Sequence, residues 1–278
     1  MRVGMDKRIS WKEALSQLPK EGFSVGFGGV TLYRRPVAFA LHLAQFLNSQ
    51  EQPAELELFC FTAGVESDLL VGAGLVQSVH SCYFGLEVFG LAPHFTKAAN
   101  EGKITIIEES EASFAYGIRA RLADVGFMPS PAWQGTDLLK LRPDVKSIKD
   151  PYTGEILTAF PAMQCDVAII HALEADLRGN ASIGENQGID CELSLIADQV
   201  YITTEKIVPR LKRADIFSQR VDGVIEAPRG AWPTSCHPLY PLDGEAILSF
   251  SESTEEKTFQ ELLANWMKMH ASFKQSPP

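Results

Sequence analysis

Asp166-Val-Ala-Ile-Ile-His171 is the stretch of sequence that decides the fold. Its apolar residues run together without alternating, which is typical of a strand in a parallel sheet that is covered on both faces. Similar short runs occur before and after it, and several segments between them show the apolar spacing of helices. Strands alternating with helices predict an α/β fold, with a mainly parallel, twisted sheet flanked by helices.

The remaining elements follow from the same patterns. A capping box at Ser10-Trp-Lys-Glu13 predicts a short helix to about Leu18, and Pro36 is expected at the first position of the next helix. Further strands are predicted at 23–25, 56–61, 76–83, 104–107, 199–203 and 221–225. The glycines from Gly26 on are expected to break the first of these strands. Further helices are predicted at 37–47, 67–73, 113–123 and 254–270.

One stretch breaks the alternation. Between Pro129 and Pro161 the chain is rich in Pro, Asp and Lys, with a predicted turn at Pro151-Tyr-Thr-Gly154. We interpret 129–161 as an excursion or small subdomain on one edge of the sheet. The expected organisation is a single domain over 1–273, followed by a frayed tail at 274–278.

Composition and charge exclude several classes of protein. The 278 residues carry 35 Asp+Glu against 25 Lys+Arg, a net charge of −10, whereas nucleic-acid binding favours a basic face. No apolar run approaches the ~18 residues that a membrane span needs, and the N-terminus lacks the apolar region of a signal peptide. We therefore expect a cytoplasmic protein that binds neither nucleic acid nor membrane.

The cysteines and histidines give no metal signal. The five cysteines are widely spaced without a C-x-x-C pair, so reduced thiols in or near the core are expected. The six histidines form no H-x-H or H-E-x-x-H pattern, and His171, at the end of the best strand, is expected to be structural. No metal site is predicted.

A glycine loop follows the first strand: Gly26-Phe27-Gly28-Gly29-Val30-Thr-Leu-Tyr-Arg34-Arg35-Pro36. Side-chain-free amides near a helix N-terminus suit an oxyanion, a carboxylate or a phosphate. A guanidinium, from Arg34 or Arg35, suits a carboxylate. The loop is neither a dinucleotide fingerprint nor a P-loop. A tight turn with two solvated arginines is the competing interpretation.

An acidic cluster, Glu108-Glu109-Ser-Glu111, follows a predicted strand and so lies near the carboxyl edge of the sheet. Ligands of open α/β sheets bind at that edge, where a carboxylate can act as a general base or as a nucleophile toward a thioester. Acidic residues are also ordinary at helix N-termini, and the pattern alone favours that explanation.

Several of these blocks together resemble a known family, the α subunits (A subunits) of family I CoA-transferases, in particular the glutaconate CoA-transferase branch. The resemblance covers about residues 10 to 270. Its blocks are Gly26-Phe-Gly-Gly-Val30 with Arg34-Arg35-Pro36, Phe127-Met-Pro129, Asp166-Val-Ala-Ile-Ile-His-Ala172, Asp176-x-x-Gly-Asn180 and Val221-Asp-Gly-Val-Ile-Glu-Ala-Pro-x-Gly-Ala231.

The resemblance implies a sugar-phosphate isomerase/CoA-transferase-like fold, a CoA thioester as substrate, no permanently bound cofactor and a hetero-oligomer whose partner is a β subunit. The β subunit of two-chain members supplies the nucleophilic glutamate, and the α glycine loop helps to line the acyl pocket. Glu185, within Gly184-Glu-Asn-Gln187, echoes the β motif, but its position matches an α-type segment, so the role of nucleophile is not carried onto it.

The same branch includes α subunits of steroid-ring-cleaving CoA-thioester hydrolases. In those chains a glutamate falls where Glu111 stands, counting back without gaps from Phe127-Met-Pro129. The resemblance therefore makes Glu111 the best candidate for a catalytic carboxylate. It also makes the glycine loop, with Arg34 or Arg35, the candidate substrate-binding element and local positive feature.

Three functions follow as alternatives. The first is an α subunit of a heteromeric enzyme that transfers CoA between carboxylic acids. The second is an α subunit of a hydrolase that opens a ring by a retro-Claisen-like reaction, with Glu111 as base. The third is a non-catalytic ligand-binding subunit. The acyl groups and the stoichiometry do not follow from the sequence.

Overall fold

A parallel sheet forms the centre of the computed structural model, which describes residues 6–273; the N-terminal residues 1–5 and the predicted tail at 274–278 lie outside it. Its strands are β1 (Phe23–Phe27), β2 (Leu56–Cys60), β3 (Val76–Ser81), β4 (Thr105–Glu108), β8 (Cys165–Asp176), β10 (Ala197–Val208) and β11 (Gly223–Glu226). They lie in the order β11-β10-β8-β1-β2-β3-β4, all parallel, and a short β9 (Ala181–Ser182) pairs antiparallel with β8.

Helices cover both faces of this sheet. They are α1 (Trp11–Ser16), α2 (Val37–Asn48), α3 (Val65–Gly72), α4 (Pro93–Asn100), α5 (Glu111–Leu122), α7 (Asp190–Ile196), α8 (Gly244–Glu252) and α9 (Glu256–Phe273). Strand β8 shows why its apolar residues run together. Val167 and Ile169 pack into the core on the α2 side, whereas Ala168 and Ile170 pack into the core on the α5 and α7 side. The predicted parallel α/β architecture is confirmed.

The excursion is a small antiparallel sheet beside α5. Its elements are β5 (Phe127–Ser130), α6 (Leu138–Leu141), β6 (Lys146–Lys149) and β7 (Ile156–Pro161), with strand order β5-β7-β6. Trp133, Val145 and Phe160 form a core of its own. The predicted subdomain at the sheet edge and the turn before Gly154 are confirmed.

Some boundaries differ from the predictions. Gly26 does not break the first strand but lies within it, and its missing side chain serves packing: a Cβ there would come within 2.6 Å of Leu193. Pro36 stands one position before the first turn of α2 instead of within it. Helices α4, α6, α7 and α8 were not predicted.

Within the described residues, no helix is long and apolar enough to cross a bilayer. The assignment of 1–273 to one domain stays a prediction.

Candidate functional site

Loops gather at the carboxyl edge of the sheet, where four neighbouring strands end. The glycine loop follows β1, residues 61–64 follow β2, residues 82–86 follow β3 and residues 109–110 follow β4. Open α/β folds bind their ligands at this edge. The two predicted site elements, the glycine loop and Glu111, both lie there, but β2 and β3 separate their strands, a distance of roughly 14 Å at ~4.8 Å per strand spacing.

The glycine loop is held by its own hydrogen bonds. Four consecutive amides donate to acceptors inside the chain: Gly28 to Ile169 O (2.9 Å), Gly29 to Asp190 Oδ1 (2.9 Å), Val30 to Tyr33 O (3.0 Å) and Thr31 to Thr62 Oγ1 (3.1 Å). The expectation of free loop amides for an oxyanion is therefore wrong in this structure. A role for Gly26, Phe27, Gly28, Gly29 and Val30 in lining a substrate pocket stays a prediction.

Gly29 fits where another residue would not. Its φ is +85°, and a Cβ atom there would lie 2.5 Å from the Tyr33 carbonyl oxygen. This close approach explains why the loop turns so tightly at this glycine.

Arg34 is fully buried. Its guanidinium forms an ion pair with Asp190 at 2.7 Å and donates to the carbonyl oxygens of His171 (2.6 Å) and Asn186 (3.1 Å). The side chain thus joins the glycine loop, the first residue of α7 and the centre of β8, and its charge is neutralised inside the protein.

Arg35 is equally buried and pairs with Glu66 of α3, while its Nη1 donates to Gly29 O at 2.9 Å. Solvated arginines and exposed local cations are therefore both wrong interpretations of Arg34 and Arg35. The acidic partners were missed because Glu66 lies 31 residues from Arg35, and Asp190 lies 156 residues from Arg34. Direct contact of either arginine with substrate stays a prediction.

A cavity of about 680 Å³ opens beside the loop. Leu173 and Pro238 supply apolar walls, and Tyr33 lies parallel to His237 with ring centroids 6.5 Å apart. Its lining residues are Tyr33, Leu173, Gly184, Glu185, Asn186, Ser235, His237 and Pro238. No sequence pattern could indicate that Tyr33 and His237 are neighbours, because 204 residues separate them. Glu111 is not part of this lining.

Glu111 is the first residue of α5 and is exposed. It has no ion-pair partner among the residues described. Burial, and then the charge of Glu111, raise the pKa of the Cys82 thiol to about 11. Since Cys82 Sγ donates to Phe61 O at 2.7 Å, Glu111 lies on the β3 side of the carboxyl edge, next to the loops after β2 and β3.

Glu109 is buried and paired, whereas Glu111, two residues away, is exposed. Its side chain is buried, and Oε1 accepts from Arg142 Nη1 of the excursion and lies 3.2 Å from His80 Nδ1 of β3. Within the predicted acidic cluster, Glu109 is thus a structural group, whereas Glu108 and Glu111 are exposed.

His171 is structural, as predicted. It is fully buried, with Nδ1 2.9 Å from Thr203 Oγ1 and Nε2 2.8 Å from Glu205 Oε1. Glu205 also accepts from Tyr240 Oη and from the Arg229 amide. Burial opposes the charge of Glu205, but the bonds from His171 and Tyr240 hold the pKa of its carboxyl below the ordinary value.

His171, Glu205 and Cys236 bring three potential metal ligands within 4.8 Å of one another. Both carboxylate oxygens of Glu205 already accept hydrogen bonds, so a metal ion would have to displace them. The arrangement is explained as a hydrogen-bond network.

Known proteins with this fold identify the class. No family model matches the chain. It is 28% identical to the A-type subunit of the glutaconate CoA-transferase of Acidaminococcus fermentans, over 95% of this chain and 88% of that protein. The crystal structure of that transferase superposes with a TM-score of 0.85 at 25% identity, over 97% and 92% of the two chains.

Three further proteins are similar to this chain. The IpdA subunit of the cholesterol ring-cleaving hydrolase of Rhodococcus jostii is 28% identical over 94% of this chain and 92% of its own. The structure of the decarboxylase AibA/AibB superposes with a TM-score of 0.86 at 27% identity, over 95% of this chain and 100% of that one. An uncharacterised protein of Archaeoglobus fulgidus is 33% identical, but the chain spans only 55% of its length.

The fold and the loops at its carboxyl edge define a CoA-transferase-like α/β protein. The chain is related in sequence and structure to the A-type subunits of the CoA-transferase family. Its relatives include both transferases and ring-cleaving hydrolases.

Proposed function

We propose that this chain is the A subunit of a heteromeric enzyme that transfers CoA between carboxylic acids, with the nucleophilic glutamate on a B-type subunit. The observation that carries the proposal is that neither the Cys82 thiol at the carboxyl edge nor the buried His171 imidazole of β8 is free to accept an acyl group. The Cys82 thiol has a pKa of about 11 and is protonated at neutral pH, and His171 is enclosed in a structural network. An acyl-accepting group from a partner completes such a site.

An exposed apolar surface supports a partner at this edge. Val88 is 92% and Leu91 72% exposed in the loop after β3. Leu242, 38% exposed, lies near this loop, since a Cβ at Gly244 would touch both the Phe89 ring (3.5 Å) and Leu242 (3.7 Å). We call Val88, Leu91 and Leu242 the apolar rim and propose that the B-type subunit covers it.

In the proposed transfer, the partner's glutamate attacks the thioester carbonyl, forms an acyl anhydride and releases CoA as a thiolate. The thiolate then attacks the anhydride, giving a glutamyl-CoA thioester and the free acid. This chain's part is to line the acyl pocket with the glycine loop, which its buried ion pairs hold in one conformation.

Hydrolytic ring opening is a second candidate, and one observation favours it: Glu111 presents an exposed carboxylate, without an ion-pair partner among the described residues, at the carboxyl edge. In this reaction the carboxylate takes a proton from water, and the hydroxide adds to a ring ketone. The ring C–C bond then breaks, and its electron pair forms the enolate of the CoA thioester, which is protonated in turn.

The substitution Glu111→Gln in the assembled enzyme separates the two candidates. Transfer predicts that most activity remains, because the reacting carboxylate lies on the partner. A loss of several orders of magnitude would contradict transfer and favour hydrolysis.

Glu256→Gln is the matched control, since Glu256 is also an exposed first residue of a helix, α9, and does not line the cavity. The activity of this variant should be retained under both candidates. A loss in Glu185→Gln at the cavity, with Glu111→Gln active, would place the nucleophile in this chain. Absence of any acyl-CoA chemistry with the partner present would support a non-catalytic subunit. The cytoplasmic location stays a prediction.

A further inference from the structure

The excursion reaches into the carboxyl edge beside Glu111. Trp133 Nε1 donates to Ser110 Oγ at 2.7 Å, and Ser110 is the residue that caps α5. The same oxygen accepts from the Ser113 amide at 3.2 Å. The helix that begins with Glu111 is therefore fixed at its first turn by a side chain from outside the helix and outside the main sheet.

Arg142 makes the second contact from the excursion. Its Nη1 donates to Glu108 O at 2.9 Å and to the buried carboxylate of Glu109, and its Nε and Nη2 bind Asp144. The pairing with Arg142 lowers the pKa of Asp144. Since Arg142 is held by its own acidic neighbour, it acts as a fixed anchor for the backbone between β4 and α5.

The geometry of Trp133 is itself unusual. Its φ is +71°, in the left-handed region that non-glycine residues seldom adopt. The indole is 5% exposed and meets the Phe160 ring edge-on at 5.0 Å. Such a conformation persists only where the surroundings enforce it.

We propose that Trp133 and Arg142 are positioning residues for Glu111: the excursion holds the turn from Glu108 to Ser110 so that the Glu111 carboxylate stays beside Cys82 at the carboxyl edge. This role rests on the second candidate function for its catalytic meaning, but the placement of Glu111 is testable without any substrate. The excursion then serves to orient a carboxylate on the main sheet instead of carrying a site of its own.

Cys82 reports on this placement. Glu111 and Glu109 are the acidic groups that face its thiol, and both raise its pKa. The substitution Glu111→Gln removes one of these charges, so the Cys82 thiolate should form at lower pH. Because iodoacetamide alkylates the thiolate, we expect alkylation about threefold or more faster at a fixed pH below the pKa.

The decisive variant is Trp133→Phe in the full chain, which removes the indole N–H without changing any charge. Alkylation of Cys82 is measured against pH by peptide mass spectrometry, which separates it from the other cysteines. Trp232→Phe is the matched control, because Trp232 Nε1 donates to Asp243 Oδ2 at 3.0 Å, and Asp243 caps α8. Arg142→Lys, which keeps the charge, provides a second variant if Trp133→Phe does not fold.

The proposal predicts that Trp133→Phe shifts the Cys82 profile in the same direction as Glu111→Gln, by about twofold or more in rate. Arg142→Lys should also change the profile, and Trp232→Phe should leave it unchanged. A wild-type profile in both excursion variants would overturn it. An unchanged profile in Glu111→Gln would also overturn it, since Glu111 would then not lie beside Cys82. If the shifts appear but Glu111→Gln retains full ring-opening activity, the positioning stands and the hydrolytic function fails.

Discussion

The two sides of the carboxyl edge differ in the burial and pairing of their charged side chains. Around the glycine loop, charges are buried and paired: Arg34 with Asp190 and Arg35 with Glu66, with all four of these side chains inaccessible to solvent. Around the start of α5, Glu111 is exposed, forms no ion pair with the described residues, and is held in place by buried groups behind it. The first side is therefore a rigid wall, whereas the second presents an exposed carboxylate.

Breaking a buried ion pair should give the largest loss of stability. Asp190→Ala leaves Arg34 without its counter-charge and removes the acceptor of the Gly29 amide. We expect a loss of roughly 3–5 kcal/mol in the free energy of unfolding, measured by denaturant titration. Asp137→Ala, which breaks the exposed pair with Lys140, is the control and should leave the midpoint unchanged. Equal midpoints for the two variants would contradict a structural role for the buried pair.

A substitution in the glycine loop should give the next largest loss of stability. Gly29→Ala combines a φ of +85° with a contact of 2.5 Å to Tyr33 O, and we expect a destabilisation of about 2 kcal/mol or more. At Gly74, where φ is +72° but no atom lies within 4 Å, alanine should cost only about 1 kcal/mol. Similar decreases in the thermal unfolding temperature for the two alanine variants would show that the loop relaxes easily and is not a rigid wall.

The apolar rim should matter for assembly and not for folding. Leu91→Glu places a charge in the proposed interface and should weaken association with the B-type subunit by about tenfold, as measured by titration of the purified subunits. Leu141→Glu is the matched control: Leu141 is 61% exposed, on the excursion. An unaffected complex in Leu91→Glu would remove the rim from the interface.

The smallest expected effect is a difference in reactivity between the Cys60 and Cys82 thiols, which lie on the two sides of the carboxyl edge. Burial raises the pKa of Cys60, behind the Arg35–Glu66 pair, to about 12, against about 11 for the half-buried Cys82. Both thiols are protonated at neutral pH, and the reactive thiolate increases as the pH rises. In the native full chain we expect alkylation of Cys82 while Cys60 stays protected; earlier reaction of Cys60 would contradict the rigid wall.

Sequence patterns predicted the parallel sheet because local features encode it: an uninterrupted apolar run such as 167–170 and the helical spacing after Pro36. The same patterns missed the pairing of Arg34 and Arg35, because their carboxylate partners are brought to them only by folding. Glu111 was found through the resemblance to a family and not through its spacing. The hydrogen bond from Trp133 to Ser110 could not be predicted, because a single contact between distant residues produces no periodic pattern in the sequence.

Product analysis of the reconstituted pair tests whether this chain takes part in CoA transfer. The purified chain and its B-type partner are incubated with a CoA thioester and a different free carboxylic acid, glutaconate being one choice, and CoA species are separated by mass spectrometry. CoA transfer predicts a new thioester of the added acid with no net release of free CoA. A product that arises by addition of water, with no dependence on the added acid, would contradict it.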